Sequence, residues 1–215
     1  MSLNIPGGEF LTGSLDVISQ SLTIPVLVIL LIIVIISIVS LGGLIAEYTS
    51  RKKVPVGTIR DLIYEINAAE SQEKLKNMIS SAKIPKSQKK VLDEIASSDD
   101  LGGSSREALA RKVFEFEEAK TESSLQKTDI ITLIGPTLGL MGTLIPMGPG
   151  LAALGAGDIN TLASSLTVAF NTTIVGIGSG ALCYVIGKIR SGWYDRYLSD
   201  LDALMDAVLD YMNKQ

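Results

Sequence analysis

Three long stretches of this chain, residues 17–46, 130–157 and 159–187, contain no Asp, Glu, Lys, Arg or His. A hydrocarbon core about 30 Å thick takes roughly 20 apolar residues of helix to cross, and each stretch supplies that with residues to spare. All 19 Lys and Arg fall outside them, in two blocks at 51–127 and 188–214. A single charge, Asp158, separates the second and third stretches, and only Glu9 and Asp16 precede the first. Basic residues concentrate on the cytoplasmic side of a membrane protein. The expected topology in the cell membrane is therefore multi-pass. The N-terminus lies outside, followed by one span, a large cytoplasmic loop, a tight helical hairpin and a cytoplasmic C-terminal tail.

Composition excludes several chemistries. There is no His and Cys183 is the single Cys, so a His-based zinc site, a Ser-His triad and a thiol pair cannot form within one chain. Cys183 lies inside the third apolar stretch and reads as a small buried packing residue. Residues 47–129 balance fifteen basic against fifteen acidic side chains. No basic stripe stands apart from acidic neighbours there, and nucleic-acid binding has no support. With no acid or base inside the apolar stretches, the chain lacks a proton relay of its own and the paired acids of an intramembrane protease. The expectation is a protein that is not an enzyme and carries no cofactor or metal.

Residues 1–23 read as an extracytoplasmic amphipathic lead-in, with Leu11, Leu15, Ile18 and Leu22 at helical spacing, expected to lie on the outer membrane surface. No basic segment precedes the first apolar stretch, which ends in Glu47-Tyr48 instead of a small-residue cleavage site, so it reads as a retained anchor. Span one covers 24–46 with Pro25 in its first turn. Ser37 and Ser40 are its sole polar residues before Gly42-Gly43, so most of its surface should face lipid. Arg51-Lys52-Lys53 hold its end in the cytoplasm.

Residues 47–129 read as a cytoplasmic helical domain. Thr58 with Asp61 is taken as the cap of a helix carrying Ile59, Leu62, Ile63 and Ile66, and Pro85 precedes another with Val91, Leu92 and Ile95. Residues 99–103 form a hinge or loop. Ser104 with Glu107 then opens a helix through Leu109, Val113 and Phe116 that meets no breaker before span two. Span two covers 130–149, an extracytoplasmic turn 150–161, span three 162–187, and a cytoplasmic C-terminal helix 188–215. In that last helix Tyr194, Tyr197, Leu201, Leu204, Val208 and Tyr211 line one side, a stripe that requires a partner helix from the same chain or a neighbouring subunit. The expected fold class is an all-α membrane protein. It has three transmembrane helices, with long cytoplasmic helical extensions of spans two and three.

Small and polar residues concentrate in the hairpin. Gly135, Gly139 and Gly142 share one face of span two, where another helix can approach at backbone distance. Thr143 falls near mid-span, and Pro146 and Pro149 are expected to loosen the helix beyond it. Span three sets Ser165, Ala169, Thr172, Thr173, Gly176 and Gly180 along one side, with Ser164, Thr167, Asn171 and Gly178 along another. Gly176 and Gly180 form a small-xxx-small pair. Plain helix packing accounts for any one of these residues. Taken together, Thr143, Thr173 and Asn171 are better explained by a polar cluster facing a pore or a partner.

The run Gly135-Pro136-x-x-Gly139-Leu140-x-Gly142-Thr143 resembles the second-span motif of the MotA/TolQ/ExbB family, and residues 167–180 are similar to its Thr- and Gly-containing last span. The three-span layout is similar to the TolQ/ExbB branch, since MotA proteins have four spans. The resemblance implies an ion-conducting stator subunit, homopentameric around a dimer of single-span ExbD/TolR/MotB-like partners. In such assemblies the partner's one intramembrane Asp carries the ion, and the proton-motive force turns or shifts the inner helices. By motif position Thr143 and Thr173 match the family's two pore-lining hydroxyls. Many ExbB-like members carry Glu five residues before the third-span Thr, where this chain has Val168, with Asn171 and Thr172 as the nearest polar substitutes. The expected ion is H⁺; Na⁺ is the alternative, because hydroxyl and amide oxygens could also dress it. The competing reading is a membrane scaffold whose cytoplasmic helices recruit a partner without conducting ions.

Overall fold

The computed structural model describes residues 8–51 and 54–214, with side chains from Phe10 onward. Residues 1–7 of the expected lead-in, and Lys52 and Lys53 of the expected basic stop, lie outside the described residues. Every element described is an α-helix: α1 Gly8–Ser21, α2 Thr23–Ser50, α3 Val56–Asn67, α4 Gln72–Ser81, α5 Lys86–Ala96, α6 Gly103–Gly155 and α7 Ile159–Asn213. Three helical stretches, Phe10–Ser50, Gly103–Gly155 and Ile159–Asn213, are long and apolar enough to cross a membrane. The chain is an all-α, multi-pass membrane protein.

The chain divides into two compact units. One holds residues through Ala46 with Gln126–Lys188, and the other holds Glu47–Leu125 with Ile189–Gln215. In the first, α1 passes into α2 with a break only at Leu22, across which hydrogen bonds continue from Leu22 N–H to the Ile18 carbonyl and from Val26 N–H to the Leu22 carbonyl. Pro25 supplies the reason for the break, since it has no N–H to offer the Ser21 carbonyl. Phe10, Leu11, Leu15, Val17 and Ile18 are all exposed, so the chain leaves the apolar face of α1 uncovered. In α2, Val26, Leu30, Ile33 and Ser37 are buried along one side, while Leu31, Ile35, Ile38 and Val39 stand exposed. The buried side meets α6 and α7 at a cluster of Ile33, Ile131 and Cys183. Cys183 is a free, fully buried thiol, with its Sγ 3.3 Å from the Ser37 hydroxyl.

The second unit has a conventional aqueous core. Ile59, Leu62 and Ile66 of α3, Leu75 and Ile79 of α4, and Val91, Leu92 and Ile95 of α5 pack on Leu201, Leu204, Val208 and Tyr211 of α7. Residues at 0% exposure such as Leu92, Leu201 and Leu204 each contribute about 1.5–3 kcal/mol by leaving water. The C-terminal apolar stripe therefore has its partner within the same chain. Beneath it lies a polar cluster: the Tyr197 hydroxyl donates to Glu117 Oε2 at 3.0 Å, and Gln88 Nε2 donates to the Tyr197 carbonyl at 3.0 Å. Burial, ahead of its polar neighbours, pushes the Tyr197 phenol up to about 12. Where α7 enters this unit, Arg190 Nε pairs with Glu47 at 3.2 Å, and Arg51 Nη2 donates to the Trp193 carbonyl at 2.9 Å. The Arg51 guanidinium also lies 5.2 Å from the centroid of the Trp193 ring.

Several boundaries differ from the sequence reading. Helix α3 is capped by Pro55, not Thr58, because a proline at the entry already fixes the extended backbone a cap position takes. The helix expected to open at Ser104 begins at Gly103, with Arg106 N–H bonded to the Gly102 carbonyl. Helix α4, capped by the Ser71 hydroxyl, was not anticipated. Most notably, α6 continues through Pro136, Pro146 and Pro149 to Gly155, so the link to α7 shrinks from twelve residues to Ala156, Gly157 and Asp158. Membrane helices tolerate proline where neighbouring groups satisfy the freed carbonyls. Gly157 takes a positive φ of 80°, and Asp158 caps α7 by accepting from Thr161 N–H at 3.1 Å.

On α7, Asp202, Asp206 and Asp210 recur every fourth residue. Burial first, and then the charges of Asp202 and Asp210, hold Asp206 above its ordinary value. A carboxyl whose folded value is raised binds its proton more tightly in the fold, so its penalty is present at neutral pH and fades as pH falls. Asp206→Asn should raise the melting midpoint by about 1–2 °C at pH 7, the size expected from relieving like charges four residues apart. Circular dichroism melts should show that gain disappearing below about pH 4, where the wild-type carboxyl is itself neutral.

Candidate functional site

Helices α6 and α7 pack antiparallel at backbone distance, because glycine occupies the crossing points on both. A Cβ placed on Gly135 would lie 2.8 Å from the Gly176 carbonyl oxygen, and one on Gly139 would lie 3.2 Å from that of Thr172. From the other side, a Cβ on Gly176 would come within 2.5 Å of the Gly135 carbonyl oxygen, and one on Gly180 within 2.7 Å of Pro136 Cδ. Gly142 faces Thr172, whose Cβ would be 2.6 Å from an added methyl. All six residues of the expected packing face (Gly135, Pro136, Gly139, Gly142, Gly176 and Gly180) thus meet in one seam. Two further glycines extend it: Gly150 against Ser165, and Gly187 against Thr128. Gly150 falls within the turn expected over 150–161, although its spacing from Gly142 sets it on the same helix face.

This approach brings Thr143 and Thr173 together. Their hydroxyls are hydrogen-bonded to each other across the two helices. Thr143 Oγ1 also lies 3.0 Å from the Gly139 carbonyl oxygen and Thr173 Oγ1 3.3 Å from the same atom. Both residues are half-buried. Two hydroxyl protons share the Gly139 carbonyl and one another as acceptors, which leaves lone pairs for a third donor. By rotating, the same hydroxyls can instead donate to an anion. The pair can therefore serve either protonation state of a group brought beside it.

The other two residues of the expected polar set behave differently. Thr172 is 6% exposed, and its hydroxyl donates back to the Val168 and Ala169 carbonyls at 3.0 and 2.9 Å. It fills the space Gly142 leaves and turns no proton toward the pair. Asn171 is exposed. It lies two residues before Thr173, about 200° round the helix, and cannot join a cluster on that side. Buried Thr128 and Ser37 were not singled out as site residues; each sits where helices cross, and an isolated hydroxyl in an apolar run gives no sign of that.

Among the described residues no group of His, Cys, Asp and Glu could hold a metal ion. The apolar stretches 130–157 and 159–187 bring no acid or base to the hydroxyl pair. Comparison with curated proteins returns none that matches this sequence. The sequence profile of the MotA/TolQ/ExbB proton channel family matches residues 82–203, more than half of the chain, and the chain belongs to that family.

Proposed function

We propose that this chain is the channel-forming stator subunit of a motor driven by the proton-motive force. It assembles as a pentamer around a dimer of single-span partners, in the cell membrane, with its N-terminus outside and its C-terminus in the cytoplasm. The observation that carries this reading is the Thr143–Thr173 hydroxyl pair, held between two apolar stretches, 130–157 and 159–187, that contain no acid or base of their own. The partner's intramembrane Asp supplies the carboxyl. Burial raises the value of that carboxyl by disfavouring its charged form, and hydrogen bonds from hydroxyls lower it again. Passage between an apolar surface and the Thr pair would switch the carboxyl between holding and releasing its proton. H⁺ is the ion this mechanism fits, and Na⁺ would require the hydroxyl and carbonyl oxygens to act as ligands. Asn171, exposed on the opposite side, faces the position of a neighbouring subunit or partner helix.

The scaffold alternative has the cytoplasmic helices recruiting a partner without ion conduction. Leu201, Leu204, Val208 and Tyr211 of the C-terminal apolar stripe are already buried within their own unit, so that stripe is not where such a partner would dock. Native mass spectrometry of the complex, gently extracted with its small membrane neighbours, tests the proposal. Five copies holding two copies of a single-span, Asp-bearing protein are expected. A monomer or dimer lacking such a partner would sink the reading.

A further inference from the structure

Two runs of opposite charge lie within the one unit formed by Glu47–Leu125 and Ile189–Gln215. Between residues 74 and 92 stand six lysines and no acid, and between 200 and 210 stand four aspartates and no base. Neither run neutralises the other. Lys74 pairs with Glu70 and Lys89 Nζ donates to the Ser80 carbonyl. Lys83, Lys86 and Lys90 are exposed and enter no ion pair among the described residues. The same holds for Asp202, Asp206 and Asp210. After burial, it is the charges of Asp202 and Asp210 that hold Asp206 above its ordinary value, and no cation offsets them.

The packing keeps the two runs apart. Gln88 of α5 is buried, and its Nε2 donates to the Tyr197 carbonyl of α7 at 3.0 Å, so that side of α5 faces α7. Lys86 and Lys90 each lie two residues from Gln88, about 200° round the helix, and point the other way. On α7, Leu201, Leu204, Val208 and Tyr211 are buried in the core shared with α5. Asp202, Asp206 and Asp210 recur at steps of four on the opposite side. The two charged faces therefore look outward from one unit in opposing directions. Their pitch is also the same: Lys86 and Lys90, like Asp202 and Asp206, stand about 6 Å apart along a helix axis. Asp93 and Glu94 end the basic face one turn beyond Lys90.

A unit that carries one charge on one side and its complement on the other can bind a copy of itself head to tail, the kind of contact from which closed rings are built. We propose that the Lys86–Lys90 face of one copy docks on the Asp202–Asp206–Asp210 face of the next, each copy supplying the charge its neighbour lacks. Exposed ion pairs contribute little to affinity one by one, but a row of them fixes partner and register. This inference rests on the chain's assembling with copies of itself, as proposed above, and not on ion conduction or on a single-span partner. The gain expected for Asp206→Asn belongs to the separated chain, in which no lysine faces the stripe.

The test treats membranes holding the full chain with a carbodiimide, which joins a carboxylate to an amine only where the two touch. Within one chain the lysines and aspartates face apart, so a bond between them joins two chains. Covalent dimers and higher multimers are expected on denaturing gels. Peptide mass spectrometry should find Lys86 or Lys90 bonded to Asp202, Asp206 or Asp210. Lys86→Glu with Lys90→Glu should cut the multimer yield about tenfold, because like charges then meet, and so should Asp202→Lys with Asp206→Lys. The four substitutions together exchange the signs and should return the yield to that of the wild type. All four residues are exposed, so folding is not at stake. Multimers bridged only through other residues, lysines bridged only to other proteins, or a fourfold variant that stays apart would each overturn the proposal. A five-copy complex whose bridges avoid these residues would leave the motor reading standing. Bridged copies that hold no single-span partner would leave the contact standing without it.

Discussion

Gly176→Ala is expected to disrupt the α6–α7 hairpin, while Gly178→Ala, two residues further on, is expected to leave it intact. A methyl on Gly176 would meet the Gly135 carbonyl oxygen at 2.5 Å, Gly139 Cα at 2.7 Å and Gly139 N at 3.0 Å, whereas one on Gly178 meets nothing within 4 Å. The three atoms it strikes are backbone, which cannot swing aside as a side chain would. Intrinsic propensity pulls the other way, because alanine favours a helix over glycine by about 1 kcal/mol at either position. Overpacking of this kind costs about 1–3 kcal/mol and more where the obstacle is rigid, so the two variants should move in opposite directions. Helices in lipid are held by close packing and not by a hydrophobic drive between them, and no other term makes up the loss. Thermal unfolding in detergent should place the Gly176→Ala midpoint about 5–10 °C below wild type and the Gly178→Ala midpoint at or above it. An unchanged midpoint for Gly176→Ala would refute the seam.

The second large effect separates function from folding. Thr143→Val and Thr173→Val keep the branched shape and remove one hydroxyl each, so packing along the seam is preserved. The loss to stability should be about 1 kcal/mol, the net worth of an ordinary hydrogen bond. Ion flux in vesicles carrying the whole complex should nevertheless fall at least tenfold, because each 1.4 kcal/mol withdrawn from the transfer barrier's stabilisation costs a factor of ten. Thr143→Ser retains the hydroxyl and should retain most of the flux. Normal flux in both valine variants would remove the hydroxyl pair from the pathway and leave it a packing contact.

Much of this architecture could be read from residue order. The absence of charge in three stretches required helices in a membrane, since an isolated span in lipid can satisfy its backbone groups only within itself. The 4-3 spacing of Gly135, Gly139 and Gly142 marked a close-approach face, and the contacts in the seam fall on it. Elsewhere local signals misled. Pro146 and Pro149 suggested a loosened end and a twelve-residue turn, but α6 holds through both, because a proline's cost depends on what stands opposite the carbonyl it frees. Helix α4 escaped notice, since only Leu75 and Ile79 of it are buried and its short apolar pattern is faint.

The sequence by itself determined that this chain crosses a membrane, that its hairpin brings no acid or base to depth, and which faces of the two hairpin helices are small enough to touch. Tertiary structure decided which residues meet. Periodicity states the face on which a residue lies but not the phase of one helix against another, and that phase is set only when Gly139 and Gly176 come into contact. From it follow the meeting of Thr143 with Thr173, the turning of Thr172 back onto its own helix and the exposure of Asn171. The same holds for the C-terminal stripe, whose need for a partner was visible in its spacing. Its partners, α3 to α5 and Ala110, were chosen by contacts between segments far apart in the chain, which local sequence does not encode.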